Sequence, residues 1–369
     1  MTTSRLVEVQ RLATSGARAV APYTFAGTRW IAVPQLAVDA PGTPSGINGG
    51  SSDTEVLLFA ESAHGFVHAG SLPVGGAEDV EIFSIGDRRF FAVASIRSGR
   101  GPYDFATTSP VYEQDADGFI LRQRISTYAA KQVRHFRIGT SDFLAVAQGM
   151  PGGDRTSVVL QWDGDTFVPL QELPSIAGYN IAVFEIGVET YLAHADHAAP
   201  SVLYRWDGHR FVDHQELLPA GGRAFLPLRD GAETYLAVAR IDGESVLLKW
   251  DGEKFHLASV IPGGAGGREF ARVDTTDGVF VIRVDFIHGT PSAPHPDLDS
   301  HIYRFAGGRM ESIGTFPTTG GTDVAVLPGD GSDLAVSNGL SPNPVPGRTF
   351  AADTVVYRFI PPVEEGGAA

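Results

Sequence analysis

The chain has 369 residues, 43% hydrophobic and 19% charged, and its net charge of −15 disfavours nonspecific contact with nucleic acid or an anionic membrane. Cysteine is absent, which excludes disulfides, thiolate metal sites and cysteine nucleophiles. With 44 Gly, 24 Pro and no apolar run of membrane-spanning length, the composition points to many short turns and an all-β fold.

The opening segment MTTSRLVEVQRLATSGARAV lacks the unbroken apolar core of a secretory signal, so the expected location is the cytoplasm. Lysine is confined to Lys131, Lys249 and Lys254, a skew toward Arg that suggests a GC-rich, bacterial coding sequence. From Leu6 onward one pattern recurs: Phe-Val-x-x-Gln-x-Leu, Gly-Gly, an apolar strand, Ile-Gly-x-x-x-(Tyr/Phe)-Leu-Ala-Val-Ala, a variable loop, and Ser-Val-Leu-Tyr-x-Trp-Asp-Gly. Its copies start at Leu6, Phe66, Phe119, Phe167, Phe211, Phe255 and Met310. Seven copies predict a seven-bladed β-propeller with four antiparallel strands per blade.

Within a copy, period-2 apolar runs such as Phe143, Ala145 and Ala147 read as strands, bounded by Gly, Asp and Pro rather than by helix caps. The Asp-Gly after Trp162, Trp206 and Trp250 marks the hairpin between the third and fourth strands, and the tryptophans themselves are expected to pack between blades. The last copy stops after a third strand, AADTVVYRF, while the chain opens on a lone fourth-type strand, RLVEVQRL. The N-terminal strand is therefore expected to close the ring, making residues 1–360 one propeller and 361–369 a flexible tail.

These Phe-x-x-x-Gln, Ile-Gly-x-x-x-(Tyr/Phe)-Leu-Ala-x-Ala and Ser-x-(Leu/Val)-Tyr-x-Trp elements resemble the epilepsy-associated repeat (EAR, or EPTP) family, most closely in the third to fifth copies. The resemblance implies a propeller and, in characterised members, an extracellular interaction module. Free-standing bacterial propellers also include cofactor-independent cyclases of natural-product pathways, with pericyclases acting on polyketides among them.

In a propeller the first strands line the axis, and the loops between strands two and three share one face with the blade connections. Those loops are long at Pro34–Asp53, Ser95–Thr108, Phe286–Ser300 and Asn338–Asp353, and short in the fourth and fifth blades. An asymmetric wall around an axial pocket suits a small molecule. Aligning the copies places one ring after the Gly-Gly turns: Arg18, Glu78, Lys131, Tyr179, Arg223, Arg268 and Thr322, followed by Ala19, Asp79, Gln132, Asn180, Ala224, Glu269 and Asp323. A second ring, Gln35, Ser95, Gln148, Asp196, Arg240, Asp285 and Asn338, ends the Leu-Ala-Val-Ala strands.

Arg223 and Arg268 are the expected binders of a carboxylate or carbonyl, with Tyr179, Asn180 and Gln132 as hydrogen-bonding catalytic groups. Gln35, Glu78, Asp79, Lys131, Gln148, Asp196, Arg240, Asp285, Asn338 and Tyr103 are the expected substrate-binding residues. The alternative is that the rings only hydrogen-bond one another around a channel. HADH (His194, His197) fits no metal-ligand spacing, and the His and Asp of the loop holding His288 and His295 are ordinary loop residues, so no metal is expected. GGAGG at 263–267 lacks the Lys-Ser/Thr and helix of a phosphate loop, and no nucleophile elbow appears.

The expectation is a monomeric, cofactor-free cyclase forming rings in a polyketide by an intramolecular [4+2]-type reaction. The alternative is a non-catalytic propeller that binds a protein or carbohydrate partner through the same face, using Tyr103, Phe105, Phe286 and Phe350.

Overall fold

A computed structural model describes residues 5–44, 46–343 and 348–362. Seven four-stranded antiparallel sheets form a ring, six of them running in chain order from the axis outward. Blade 4 is typical, with strands Gly178–Ile186, Glu189–Asp196, Ser201–Trp206 and Phe211–Leu218. The second strand of each blade is buried on both faces between neighbouring sheets, which accounts for its continuous Tyr-Leu-Ala-Val-Ala character.

Blade 7 combines Gly321–Val326, Asp333–Asn338 and Thr354–Phe359 with Leu6–Leu12 as its outer strand, Leu6 opposite Phe359 and Leu12 opposite Thr354. The predicted closure is thus present, and blade 7 has four strands like the others. Of the expected flexible tail, residues 363–369 lie outside the described residues.

The repeat motif reads as a set of joints. Phe167 packs under Trp162 at 5.0 Å, and Trp162 reaches back to Phe90 of the preceding blade at 5.4 Å. Trp206 on Phe143 and Trp250 on Tyr191 repeat that contact. The Gln of the motif is a second joint: Gln123 accepts a hydrogen bond from Phe167 N at 2.9 Å and donates to Phe167 O at 2.8 Å. Gln171 does the same to Phe211, Gln215 to Phe255, and Gln10 to Phe66.

In the Trp-Asp-Gly hairpins the Asp matters as well as the Gly. Asp163 accepts from Asp165 N and Thr166 N, and Asp207 and Asp251 cap their turns in the same way. One element was not anticipated: the Phe286–Ser300 segment contains a small hairpin, His288–Thr290 with Ala293–His295. Pro291 O at its turn accepts from Ile47 N, so the long loops of blades 6 and 1 meet above the axis.

Candidate functional site

In blades 4 and 5 the first strand begins so close to the preceding blade that only glycine fits ahead of the axial residue, while Ala17, Ala77 and Ala130 hold that place in blades 1 to 3. A Cβ on Gly178 would stand 2.4 Å from the Ser157 hydroxyl, and one on Gly222 2.4 Å from that of Ser201. The next residues, Tyr179 and Arg223, are thereby brought to the axis. Arg18, Glu78, Lys131 and Arg268 arrive at equivalent positions, and together the six line two cavities, one on each side of them. They are a partition across the propeller.

Above the partition, on the face of the long loops, lies a chamber of about 970 Å³. Its wall carries Leu36, Ile96, Ile241, Phe286 and Ile287, with Ile47, Phe105, Met150, Pro151 and Pro291 from the loops. The wall is high on the side of blades 1, 2 and 6 and low at blades 4 and 5, where His197 and Asp242 line it. Arg97 fixes the high side, donating to Ser52 Oγ and to the carbonyls of Asn48 and Gly49 while lying 3.8 Å from the Tyr103 ring centre. The Tyr103 hydroxyl donates to Gly50 O. Below the partition a smaller space of about 310 Å³ is lined by Asp79, Glu81, Glu269, Asp323 and Arg134.

The partition holds four basic residues and one carboxylate. Glu78 sits between Arg268 (2.8 Å) and Arg18 (3.5 Å). Burial alone would raise its pKa, but the two guanidiniums hold it below the usual carboxylate range. Arg268 also donates to Thr322 O, and burial pushes Arg18 down to about 10 against the pull of Glu78. Lys131 donates to Ala129 O and Gly149 O, with burial lowering its pKa.

Arg223 differs from all of these. It is 9% exposed, its guanidinium lies 3.8 Å from the Tyr179 ring centre, and it makes no ion pair or hydrogen bond among the described residues. Burial would raise the pKa of Tyr179, yet Arg223, Lys131 and Arg268 bring it below that of a free phenol.

Of the residues expected from sequence, Arg223, Arg268, Tyr179, Glu78, Lys131 and Tyr103 line the chamber. Gln132, Asn180 and Asp79 do not. Their side chains accept hydrogen bonds from Ile181 N, Phe225 N and Val133 N of the next blade, joining adjacent inner strands below the partition. Asn180 also donates to Glu269 at 3.4 Å. The side chains of Asn180 and Gln132, expected in the chamber as catalytic groups, thus sit at blade junctions on the other side of the partition.

The second ring is corrected as well, since none of its seven members lines the chamber. Gln35, Gln148 and Asn338 each accept from a blade-connection amide (Ser15, Tyr128, Thr319) and donate to a loop carbonyl (Glu55, Thr156, Asp353). Asp196 accepts from Ile176, Ala177, Ala198 and Ala199, and Ser95 donates to Gly75 O. Asp285 is held by Arg283 and His301, while Arg240 lies against Gly221 and Gly243. In Gln35, Ser95, Gln148, Asp196 and Asn338 different side chains do one latching job, whereas the Arg240 guanidinium makes no hydrogen bond or ion pair among the described residues. The residues that face the chamber come one position later: Leu36, Ile96, His197, Ile241 and Phe286. Strand alternation, read one residue further, was the available signal.

The histidine and aromatic assignments sort by the same geometry. His194 is fully buried and bonded to Ser157 Oγ at 2.9 Å, Asp196 faces backbone amides, and His197 faces the chamber. Among the described residues no cluster of three or more His, Asp or Glu is arranged to hold a metal ion. Tyr103, Phe105 and Phe286 turn into the chamber, and Phe350 is buried beneath the loops.

These features define a seven-bladed β-propeller whose axis is divided by a charged partition into an upper apolar chamber and a lower acidic recess. Residues 118–163, 166–207 and 210–251 each match the EPTP domain, so three consecutive repeats of this propeller are of the EPTP type, and each matched unit starts at the outer strand of one blade and crosses into the next. No curated protein matches the sequence. Among solved structures, a chain from the crystal structure of BBS1N in complex with ARL6DN, soaked with mercury, aligns over 97% of both chains with a TM-score of 0.62 and 11% identity. That likeness is one of fold. No helix among the described residues is long and apolar enough to cross a membrane.

Proposed function

We propose that the protein is a cyclase that works without an added cofactor, closing a ring within a linear or macrocyclic polyketide held in the upper chamber. The observation that carries this reading is the chamber itself: an apolar, one-sided wall standing on a polar, mostly cationic floor. Such a shape folds a flexible hydrocarbon chain against one side while fixing one polar end. In a [4+2] closure two carbon–carbon σ bonds form as three π bonds become one, and no atom, proton or electron enters or leaves. The protein's part is then to restrain the reacting ends, which supplies effective molarities of about 10⁵ M or more for well-oriented partners. Cationic donors at the floor lower the barrier further by polarising a carbonyl conjugated to the alkene.

In this reading the protein acts as a monomer in the bacterial cytoplasm, and its partner is the small molecule. The inward turn of Tyr103, Phe105 and Phe286 favours an enclosed ligand over a protein or carbohydrate docked on the same face. The test is incubation with linear chains bearing a conjugated diene and an enone. A product of unchanged mass and new retention, formed faster than without protein, is expected. Chains that bind yet cyclise only at the background rate would contradict the proposal.

A further inference from the structure

The two arginines that sequence treats alike are not alike in space. Arg268 donates to Glu78 and to Thr322 O, whereas Arg223 is buried beside Tyr179 with nothing to accept its protons. The Arg223 Nε is buried without a hydrogen-bond partner while the side chain lines the chamber, and a guanidinium drawn partly out of water without a counter-charge is costly until an anion meets it. Glu78, the one carboxylate on the floor, is bracketed by Arg18 and Arg268. Asp242, on the low rim of the chamber, pairs at 3.8 Å with His197 and makes no contact with Arg223.

We infer that Arg223 is the seat for a single oxyanion, carboxylate or enolate, at the head of an apolar ligand whose body lies along Ile241, Phe286 and Ile96. This rests on the reading of the chamber as a small-molecule site and names the charge class of what enters it. The geometry fits one anion rather than two. Arg18 and Arg268 already share Glu78, and the Lys131 ammonium is tied to two backbone carbonyls. The guanidinium of Arg223 lies 3.8 Å from the Tyr179 ring centre, and its terminal nitrogens offer a fork of donors for two oxygens. The Tyr179 hydroxyl has no hydrogen-bond partner among the described residues and stands at the same floor, where it donates to the same head group. The depressed pKa of Tyr179 is consistent with a field already biased toward negative charge.

The probes are decanoate, decanol and decylammonium, which share one tail and differ in the head, titrated calorimetrically into the full chain and its Arg223→Met and Arg223→Lys variants. Decanoate is expected to bind at least tenfold more tightly than decanol, with decylammonium the weakest. Arg223→Met is expected to erase the decanoate advantage, to leave decanol binding unchanged, and to melt no lower than the parent, because it removes an uncompensated buried charge. Arg223→Lys is expected to restore part of the advantage.

Equal binding of decanoate and decanol by the parent, or undiminished decanoate binding by Arg223→Met, would overturn the inference. So would a lower melting temperature of Arg223→Met with its binding preference intact, which would make the residue structural. Failure here is separable from failure of the cyclase reading: ring closure of neutral chains without decanoate preference sinks only the anion seat, and decanoate preference without ring closure sinks only the chemistry.

Discussion

The two halves of the partition start from the same position of the same repeat and end in opposite states. On one side Glu78 accepts a hydrogen bond from Arg268 and forms a 3.5 Å ion pair with Arg18, so both guanidiniums share a counter-charge. On the other, Lys131, Tyr179 and Arg223 bring two positive charges together with no carboxylate between them, and Arg223 makes neither an ion pair nor a hydrogen bond. The first half ties blades 1, 2 and 6 across the axis, and the second carries the anion seat inferred above. A polar residue at a propeller axis is thus informative only when its partners are known.

The largest effect should come from breaking the satisfied half. Glu78→Gln leaves Arg18 and Arg268 buried without their counter-charge, and urea unfolding should show a loss of about 3–5 kcal/mol. If the variant unfolds as the parent does, the two halves do not differ in the way described.

A neighbouring pair on one strand end sharpens the same contrast. Asp196→Ala orphans four backbone amides and should cost about 2–3 kcal/mol, while His197→Ala, one residue on, should leave stability nearly unchanged and alter ligand binding instead. Equal losses from both would show that the latch and the chamber wall are not separate.

The lower recess adds a pH-dependent term of the opposite sign to the usual carboxylate. Burial, with Asp323 nearby, raises Glu269, and burial also pushes Asp79 up to about 7. Such groups hold protons in the folded state that the unfolded chain releases. Their favourable contribution is therefore present at low pH and fades as pH rises from about 4.5 to about 8. Melting temperatures across that range should fall less steeply in Glu269→Gln than in the parent; parallel curves would refute it. At the small end, Arg309→Ala on the exposed outer strand should shift stability by no more than about 0.5 kcal/mol and leave ligand binding untouched. A larger change would mean that charge is felt through the molecule as a whole rather than at the partition.

The blades were legible in the sequence because their joints are local and repeated: Trp on the preceding blade, Gln on the next Phe, and Asp-Gly at the hairpin. The first ring was legible for a related reason, since a Gly-Gly turn marks it in most copies. What the sequence did not reveal is which of its charges meet. Glu78 and Arg268 are 190 positions apart and touch only because the ring closes, so Arg268 and Arg223 looked equivalent. The second ring misled because most of its side chains vary in type while sharing a latching task that only the backbone partners disclose. The small hairpin over the axis was also hidden, for His288–Thr290 and Ala293–His295 are three residues each and carry no apolar alternation.

The most direct test of the unsatisfied half is a crystal structure of the protein grown with decanoate. The account predicts a carboxylate within hydrogen-bond distance of the Arg223 guanidinium and the Tyr179 hydroxyl, with the tail rising along Ile241 and Phe286. A decanoate head placed on Arg268 or Arg97, or a tail lying outside the chamber, would contradict it.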